Sequence, residues 1–389
     1  MERFLAELEA QRTQYQKLNT DYVLDLAAQH FTRVRLERLR EELEIDLLNN
    51  KVSEAQQRIE SFRPVSLSTE DWVDVIHDHS HLVEALRQRE EDTLIRYPGA
   101  LGEFFGPHLE RDGFVAFLAP EKRGKSFWLL DLAYRAAVRD RRRTLLFSVG
   151  DMSRYQMLRR LACRLMRRPF HAGSLFIPRA LIPTPGHGGD WIVRRRLKVW
   201  QHPLKARELV QEAKQMEREG AARLKLQCTA NATTTVADIA HQIEIWIRRS
   251  WVPDVVVVDY ADILAPEISA RRLEYRHQIN ETWKALRRLS QDYHLLVVTA
   301  TQSDAASYEQ DTIRRRHFSE DKRKLSHVTG MIGINQTERE KEQEIYRLNW
   351  VVLRDSPFLE SRCVGTAGCL AIGCPAIVST WRDNKGNAQ

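Results

Sequence analysis

The 389-residue chain reads as an α/β protein, a mostly parallel sheet flanked by helices, with a small all-helical module at its N-terminus. Two observations predict that class. From about residue 112, short apolar runs of strand length alternate with amphipathic stretches of helix length, the pattern of repeated βαβ units. Before that, residues 1–62 repeat apolar side chains at helical spacing among many charges: Phe4, Leu5 and Leu8, then Val23, Leu26 and Ala27, then Leu36, Leu39 and Leu43.

The N-terminal helices bury one stripe and solvate the other, as a packing or oligomerisation module or a partner-binding surface would. Pro64 breaks the pattern, and Ser68 with Asp71 offers a new helix start. The glycines and proline of RYPGALGEFFGP (96–107) mark the expected boundary between a helical module with its linker (1–97) and the α/β domain (98–389). Strands are expected at GFVAFLA, RTLLFSV, ARLKLQC, PDVVVVDY, HLLVVTAT, YRLNWVVLR and CLAIGCPAIVSTW. The amphipathic stretches between them include SFWLLDLAYRAAV, SRYQMLRRLACRLM, VADIAHQIEIWIRRS and YRHQINETWKALRRLSQDY. Residues 164–220, with Pro169, Pro178, Pro183 and Pro185, interrupt the alternation and read as a partly irregular insertion.

Composition narrows the setting. A 43% hydrophobic, 29% charged chain is ordinary for a globular protein, and no apolar run reaches the ~18 to 20 residues of a membrane span. The charged start MERFLAELEAQRTQ has no signal-peptide apolar region, and five cysteines without a regular framework suggest a reducing compartment, the cytoplasm. The net charge of +7 permits an anionic partner.

The chemistry centres on RGKS, residues 123–126. The stretch Ala119-Pro120-Glu121-Lys122-Arg123-Gly124-Lys125-Ser126 fits a phosphate-binding loop, with alanine in place of the first glycine. A strand pattern precedes it and a helix pattern opens at Lys125, the context such a loop needs. Lys125 would reach the β and γ phosphates of a nucleotide and Ser126 would coordinate Mg²⁺, as in an ATPase or GTPase core. DVVVVDY places Asp259 at the tip of a strand, where a carboxylate can hold the same magnesium. Asp151 and Gln302 end two further strand patterns and are candidates to orient water and to sense the γ-phosphate.

Four segments in this order resemble the RecA-like ATPases and, among them, the hexameric replicative helicases of the DnaB type. APEKRGKS looks like their first motif and FSVGDMS like their F-S-L-E-M-S segment. VVVVDYADIL is similar to their Walker-B strand and VVTATQSD to their strand ending in S-Q-L. The resemblance covers roughly residues 110–360 and implies a RecA-like core, ATP and Mg²⁺ as cofactors, and a ring or filament, hexameric in the helicases. It makes Asp151 the counterpart of their catalytic glutamate, one methylene shorter and preceded by Gly150, and Gln302 the γ-phosphate sensor. Of their K-x-R pair it retains Arg354, with Val352 at the lysine position, so Arg354 would act on a neighbour's nucleotide. The implied function is an ATP-driven DNA helicase of replication. The alternatives are a RecA-like recombinase or strand-annealing ATPase, and a regulatory or defence ATPase ring that does not unwind.

Beyond the Gln302 strand, residues 307–330 cluster Arg314, Arg315, Arg316, Lys322, Arg323 and Lys324, candidates to track the backbone of single-stranded DNA, among interleaved acids. RRRLKVWQHPLK (194–205) is a second basic tract, with Trp200 in it. Cys363, Cys369 and Cys374 lack a paired metal-ligand spacing and read as buried thiols. HDHSH (77–81) suits neither a helical metal pair nor a triad and reads as solvated histidines.

Overall fold

The computed structural model describes residues 20–62, 76, 79–80, 82–83, 93–150, 152–184, 191–220, 223–304, 312–315, 323–354 and 356–382. The chain divides into two compact units, residues 1–87 and 88–389. In the first, α1 (Thr20–Leu48) and α2 (Val52–Ser61) are joined by a tight turn with Asn50 at positive φ (+53°). Arg58 of α2 ties the pair by reaching Asp46 at 2.6 Å and Glu42 at 2.8 Å on α1. Leu36, Leu39, Leu43 and Leu47 line an open apolar groove along α1. The expected helical positions Phe4, Leu5 and Leu8, and the Ser68–Asp71 signal, lie outside the described residues. His79 of HDHSH is exposed, and its other two histidines are also outside the described set.

The second unit begins before the proline-glycine stretch. Thr93 bridges Glu110, while Leu94 and Ile95 are wholly buried in the core that includes Val115 and Trp128, so residues 93–97 are part of the second unit. After α3 (Gly99–Phe105) comes the first βα unit, β1 (Phe114–Ala119) and α4 (Lys125–Tyr134), the latter prolonged by a π-helical turn over Arg135–Arg139. Next are β2 (Thr144–Val149) and α5 (Arg154–Met166). The segment read as an irregular insertion instead forms an antiparallel hairpin, β3 (Gly173–Pro183) with β4 (Trp191–Trp200), followed by α6 (Ala206–Arg218). The alternation then resumes with β5 (Leu224–Thr229), α7 (Val236–Arg248), β6 (Val255–Asp259), α8 (Tyr275–Asp292) and β7 (Leu296–Gln302). Short α9 (Lys324–His327), β8 (Gly330–Asn335), α10 (Glu338–Glu342), β9 (Ile345–Leu353), β10 (Cys363–Cys369) and β11 (Cys374–Trp381) complete the unit.

The main sheet has nine strands in the order β11-β10-β9-β8-β1-β7-β6-β2-β5. From β8 to β5 neighbours run parallel, and β9, β10 and β11 extend the sheet antiparallel. Burial on both faces explains the unbroken apolar runs of the central strands. Val115 and Phe117 of β1 face a core with Trp128 of α4, whereas Phe114, Ala116 and Leu118 face a second core with Trp283 of α8 and Ile239 of α7. Two expectations change in detail. GMIGIN and CVGTAGC, too rich in glycine to read as strands, are β8 and β10. CLAIGCPAIVSTW is not one strand: a 3-10 turn over Leu370–Ile372 and the left-handed Gly373 (φ +66°) separate the end of β10 from β11.

The hairpin lies on this antiparallel extension. Leu181 and Trp191 bury with Ile345 and Ala367, while Leu175 and Ile177 pack on Cys369, Ile372 and Cys374. Trp191 comes so close to Gly365 that a Cβ there would overlap its ring. Burial pushes the thiols of Cys369 and Cys374 up to about 11, and Cys363 is buried on the same strand as Cys369. Among the described residues no helix is long and apolar enough to cross a membrane.

Candidate nucleotide-binding site

Parallel strands bring their C-terminal ends to one edge, and the loops leaving that edge form a cavity of about 530 Å³. Its floor is the turn from β1 into α4. Gly124 adopts φ +79°, and a Cβ there would meet the Tyr346 ring at 3.1 Å, so conformation and space both require glycine. Lys122 is the other left-handed residue of the turn (φ +58°), whereas Ala119 is not among the positive-φ residues. Alanine therefore serves at the position where the usual loop has glycine. α4 is anchored to α5 by the buried Asp131–Arg164 pair at 2.6 Å, and Tyr97 donates a further bond to Asp131 at 2.9 Å.

Within the turn, the buried Lys125 ammonium donates to the carbonyls of Ala119 and Pro120, each at 2.9 Å. The Ser126 hydroxyl donates to Asp259 Oδ1 at 3.0 Å, joining the start of α4 to the tip of β6. Arg123 turns away from the cavity, its guanidinium buried and bonded to Glu338 of α10 at 3.1 Å. Glu121 and Lys122 remain exposed at the rim. At the end of β7, Gln302 lines the cavity and donates from Nε2 to the Tyr260 hydroxyl at 3.3 Å. Lys125, Ser126, Asp259 and Gln302, drawn from separate segments of sequence, are thus brought to one edge.

Side chains without any motif complete the lining. Arg160 of α5, Lys341 of α10 and Tyr346 of β9 all face the cavity. Arg160 lies over the Phe127 ring at 4.3 Å, and burial raises the Tyr346 phenol well above its ordinary range. Asp151 lies outside the described residues. Its neighbour Gly150 holds φ +118°, where a Cβ would fall 2.5 Å from Asn231 Cα, and Ser153 caps α5 in a box with Gln156.

Arg354 stands apart from these groups. It follows β9, whose first residues border the cavity and whose last pair with the start of β8, so it emerges at the opposite edge of the sheet. Eight steps along the chain separate it from Tyr346, about 25 Å of strand. Its side chain is exposed and donates to the Ser326 carbonyl.

The basic residues of 307–330 are placed unevenly. Arg314, Arg315 and Arg323 are exposed; Arg315 approaches Glu360 at 3.6 Å and Arg323 contacts His277. Lys324 is only 1% exposed, and its ammonium binds Asp262 at 2.8 Å and Thr301 Oγ1 at 3.1 Å. Arg316 and Lys322 lie outside the described residues. Asp262 also accepts from the Thr301 hydroxyl at 2.6 Å and the Gln302 backbone at 3.3 Å, so Lys324 fastens the end of the basic segment to the strand carrying Gln302.

The donor set suits a hard cation. Among the described residues no three His, Cys, Asp or Glu side chains gather to hold a metal by themselves. Ser126 and Asp259 offer two oxygens side by side, and Mg²⁺ is commonly held by one or two protein oxygens together with phosphate and water.

A strand, a phosphate-type turn opening a helix, and an aspartate-tipped strand across a parallel sheet define a RecA-like P-loop fold. No family model matches the sequence, and no curated protein matches it. Solved structures do share the fold. One is an ATPase domain, with a TM-score of 0.56 at 14% identity over 77% of this chain and 98% of that one. Another is a DnaB-like replicative helicase, described together with its interactions with primase, with a TM-score of 0.61 at 12% identity over 95% of this chain and 81% of that one. The fold is therefore that of the DnaB-type RecA-like ATPases.

Proposed function

We infer that the chain is a Mg²⁺-dependent ATPase that works as an oligomeric motor on single-stranded DNA, a helicase of the DnaB-like class. The observation that carries the reading is the Ser126–Asp259 bond of 3.0 Å beside Lys125, which unites the two halves of a phosphate-and-metal site from distant segments. Lys125 would exchange its two carbonyl partners for phosphate oxygens, and Ser126 and Asp259 would hold the cation. Bound there, Mg²⁺ would neutralise charge on the transferring phosphoryl group. Asp151 is the candidate for positioning water, and Gln302 the group that would register the γ-phosphate. Arg314, Arg315 and Arg323 would contact the strand, with Arg316 and Lys322 in the same segment. Lys324, tied to Asp262, would carry motion between that segment and Gln302. Arg354 would complete a neighbour's site, which requires a ring or filament. The N-terminal helices would serve assembly or a protein partner.

Strand displacement on forked DNA tests the reading. Wild-type protein with MgATP should unwind, and Lys125→Ala should abolish both unwinding and turnover. DNA-stimulated turnover without unwinding would indicate a recombinase or annealing protein, and turnover indifferent to DNA would indicate a regulatory ring.

A further inference from the structure

The strongest charge imbalance in the chain lies in the hairpin segment, away from the 307–330 loop. Residues 164–205 carry nine lysines and arginines against one acid, Asp190, whereas 307–330 has six against four. Part of this positive charge is spent internally. Arg164 pairs with Asp131, Arg168 with Glu208, and Arg195 donates to the carbonyls of Phe176 and Gln343. The remainder stands on the ribbon. Arg179, Arg194, Arg196 and Lys198 are all exposed, and none pairs with a carboxylate among the described residues.

We propose that the β3–β4 hairpin is a second DNA-binding element, gripping the phosphodiester backbone of a single strand through Arg179, Arg194, Arg196 and Lys198. The proposal rests on the reading of the chain as a DNA-associated ATPase. Arg194, Arg196 and Lys198 occupy alternate positions of β4 and therefore share one side of it, a row of cations that can follow a row of phosphates. Single-stranded rather than duplex DNA fits because apolar side chains stand among the cations. On the same side of β4 as the cation row, Ile192 is 52% exposed and the Trp200 ring centre lies 4.8 Å from the Lys198 ammonium, while Phe176 and its cross-strand partner Leu197 are exposed on the other side. Unpaired bases have apolar faces to lay on such groups, and a duplex hides them.

The root of the ribbon is joined to the nucleotide cavity. Trp191 Nε1 donates to Glu340 at 2.9 Å, and Glu340 also accepts from Arg347 at 2.7 Å. On the same helix, Glu338 holds Arg123 of the phosphate turn and Lys341 lines the cavity. A strand held on the hairpin is therefore one short helix away from the phosphate turn.

The test is fluorescence anisotropy of a labelled oligothymidylate and of a matched duplex with the full-length protein, over a series of salt concentrations. The probe variant replaces Arg179, Arg194, Arg196 and Lys198 together by glutamine; all four are exposed, so circular dichroism and DNA-free ATP turnover should match wild type. The expected result is single-strand affinity reduced at least tenfold and a salt slope shallower by about 2 to 3, since each lost phosphate contact removes about 0.7 from it. Unchanged affinity and slope in this variant, with losses confined to Arg314→Ala/Arg323→Ala, would overturn the proposal and leave the motor reading intact. Wild-type protein that binds no DNA at all would overturn both. Duplex bound as tightly as single strand, or a DNA-independent protein complex lost in the variant, would also overturn it.

Discussion

Lys324 shows how one residue can change its task between sequence and structure. In the sequence it is one cation in a run of six; in the fold its ammonium is buried between Asp262 and Thr301. Removing one partner of such a pair leaves the other charge buried, which typically costs about 3–5 kcal/mol. Lys324→Met should therefore lower the thermal midpoint by several degrees, and Lys324→Met/Asp262→Asn should recover part of the loss. Arg323→Ala, one residue earlier and exposed, should leave the midpoint within about 1 °C, because surface changes are nearly neutral. Differential scanning calorimetry of the three variants decides it. At this scale the legible residues were those fixed by strand ends. Lys125, Ser126, Asp259 and Gln302 each follow an apolar run, and a parallel sheet brings such ends together. Arg160, Lys341 and Tyr346 were not legible, because only the packing of α5, α10 and β9 aims them at the cavity.

Among the elements, the central strands declared themselves through apolar runs buried on both faces, and α5 and α7 through amphipathic patterns, which the structure shows to be capped by Ser153 and Thr235. The hairpin did not, because Pro178 and Pro183 read as breakers. In a two-stranded ribbon a proline is tolerated where its missing N–H breaks no ladder on a second side, and Pro178 sits beside the bulge at Arg179. β8 and β10 escaped notice for a different reason: their glycines lower strand propensity, yet Gly330 and Gly365 leave room for the rings of Trp350 and Trp191. The hairpin's attachment yields its own prediction. Trp191→Phe keeps a ring against Gly365 but removes the donor to Glu340, a loss of about 1.5–3 kcal/mol for a hydrogen bond to a charged group. Turnover without DNA should change less than about twofold, because Arg347 still satisfies Glu340 and Glu338 still holds Arg123 of the phosphate turn. Its stimulation by single-stranded DNA should fall severalfold; steady-state ATPase assays with and without oligonucleotide measure both.

At the scale of the molecule, the chain holds the phosphate turn at one edge of its sheet and Arg354 at the other. If Arg354 serves a neighbour, two inactive variants should complement each other. Lys125→Ala and Arg354→Ala should each be inactive alone, and their mixture should regain a fraction of wild-type turnover, because some interfaces then join an intact turn to an intact arginine. A mixture as inactive as its components would exclude action on a neighbour's site, and an Arg354→Ala protein as active as wild type would place Arg354 outside the reaction.

β9 connects these two locations. Tyr346, near its beginning, packs beside Gly124 and borders the cavity, and Arg354 follows its far end. β9 pairs with β10 over Ile345–Asn349 and with β8 over Arg347–Leu353, the second ladder shifting register at Val351, so the two ends of the strand are tied into one sheet by different neighbours. If Arg354 does complete a neighbour's site, as proposed, this strand is the covalent path between a chain's own nucleotide cavity and the one it serves.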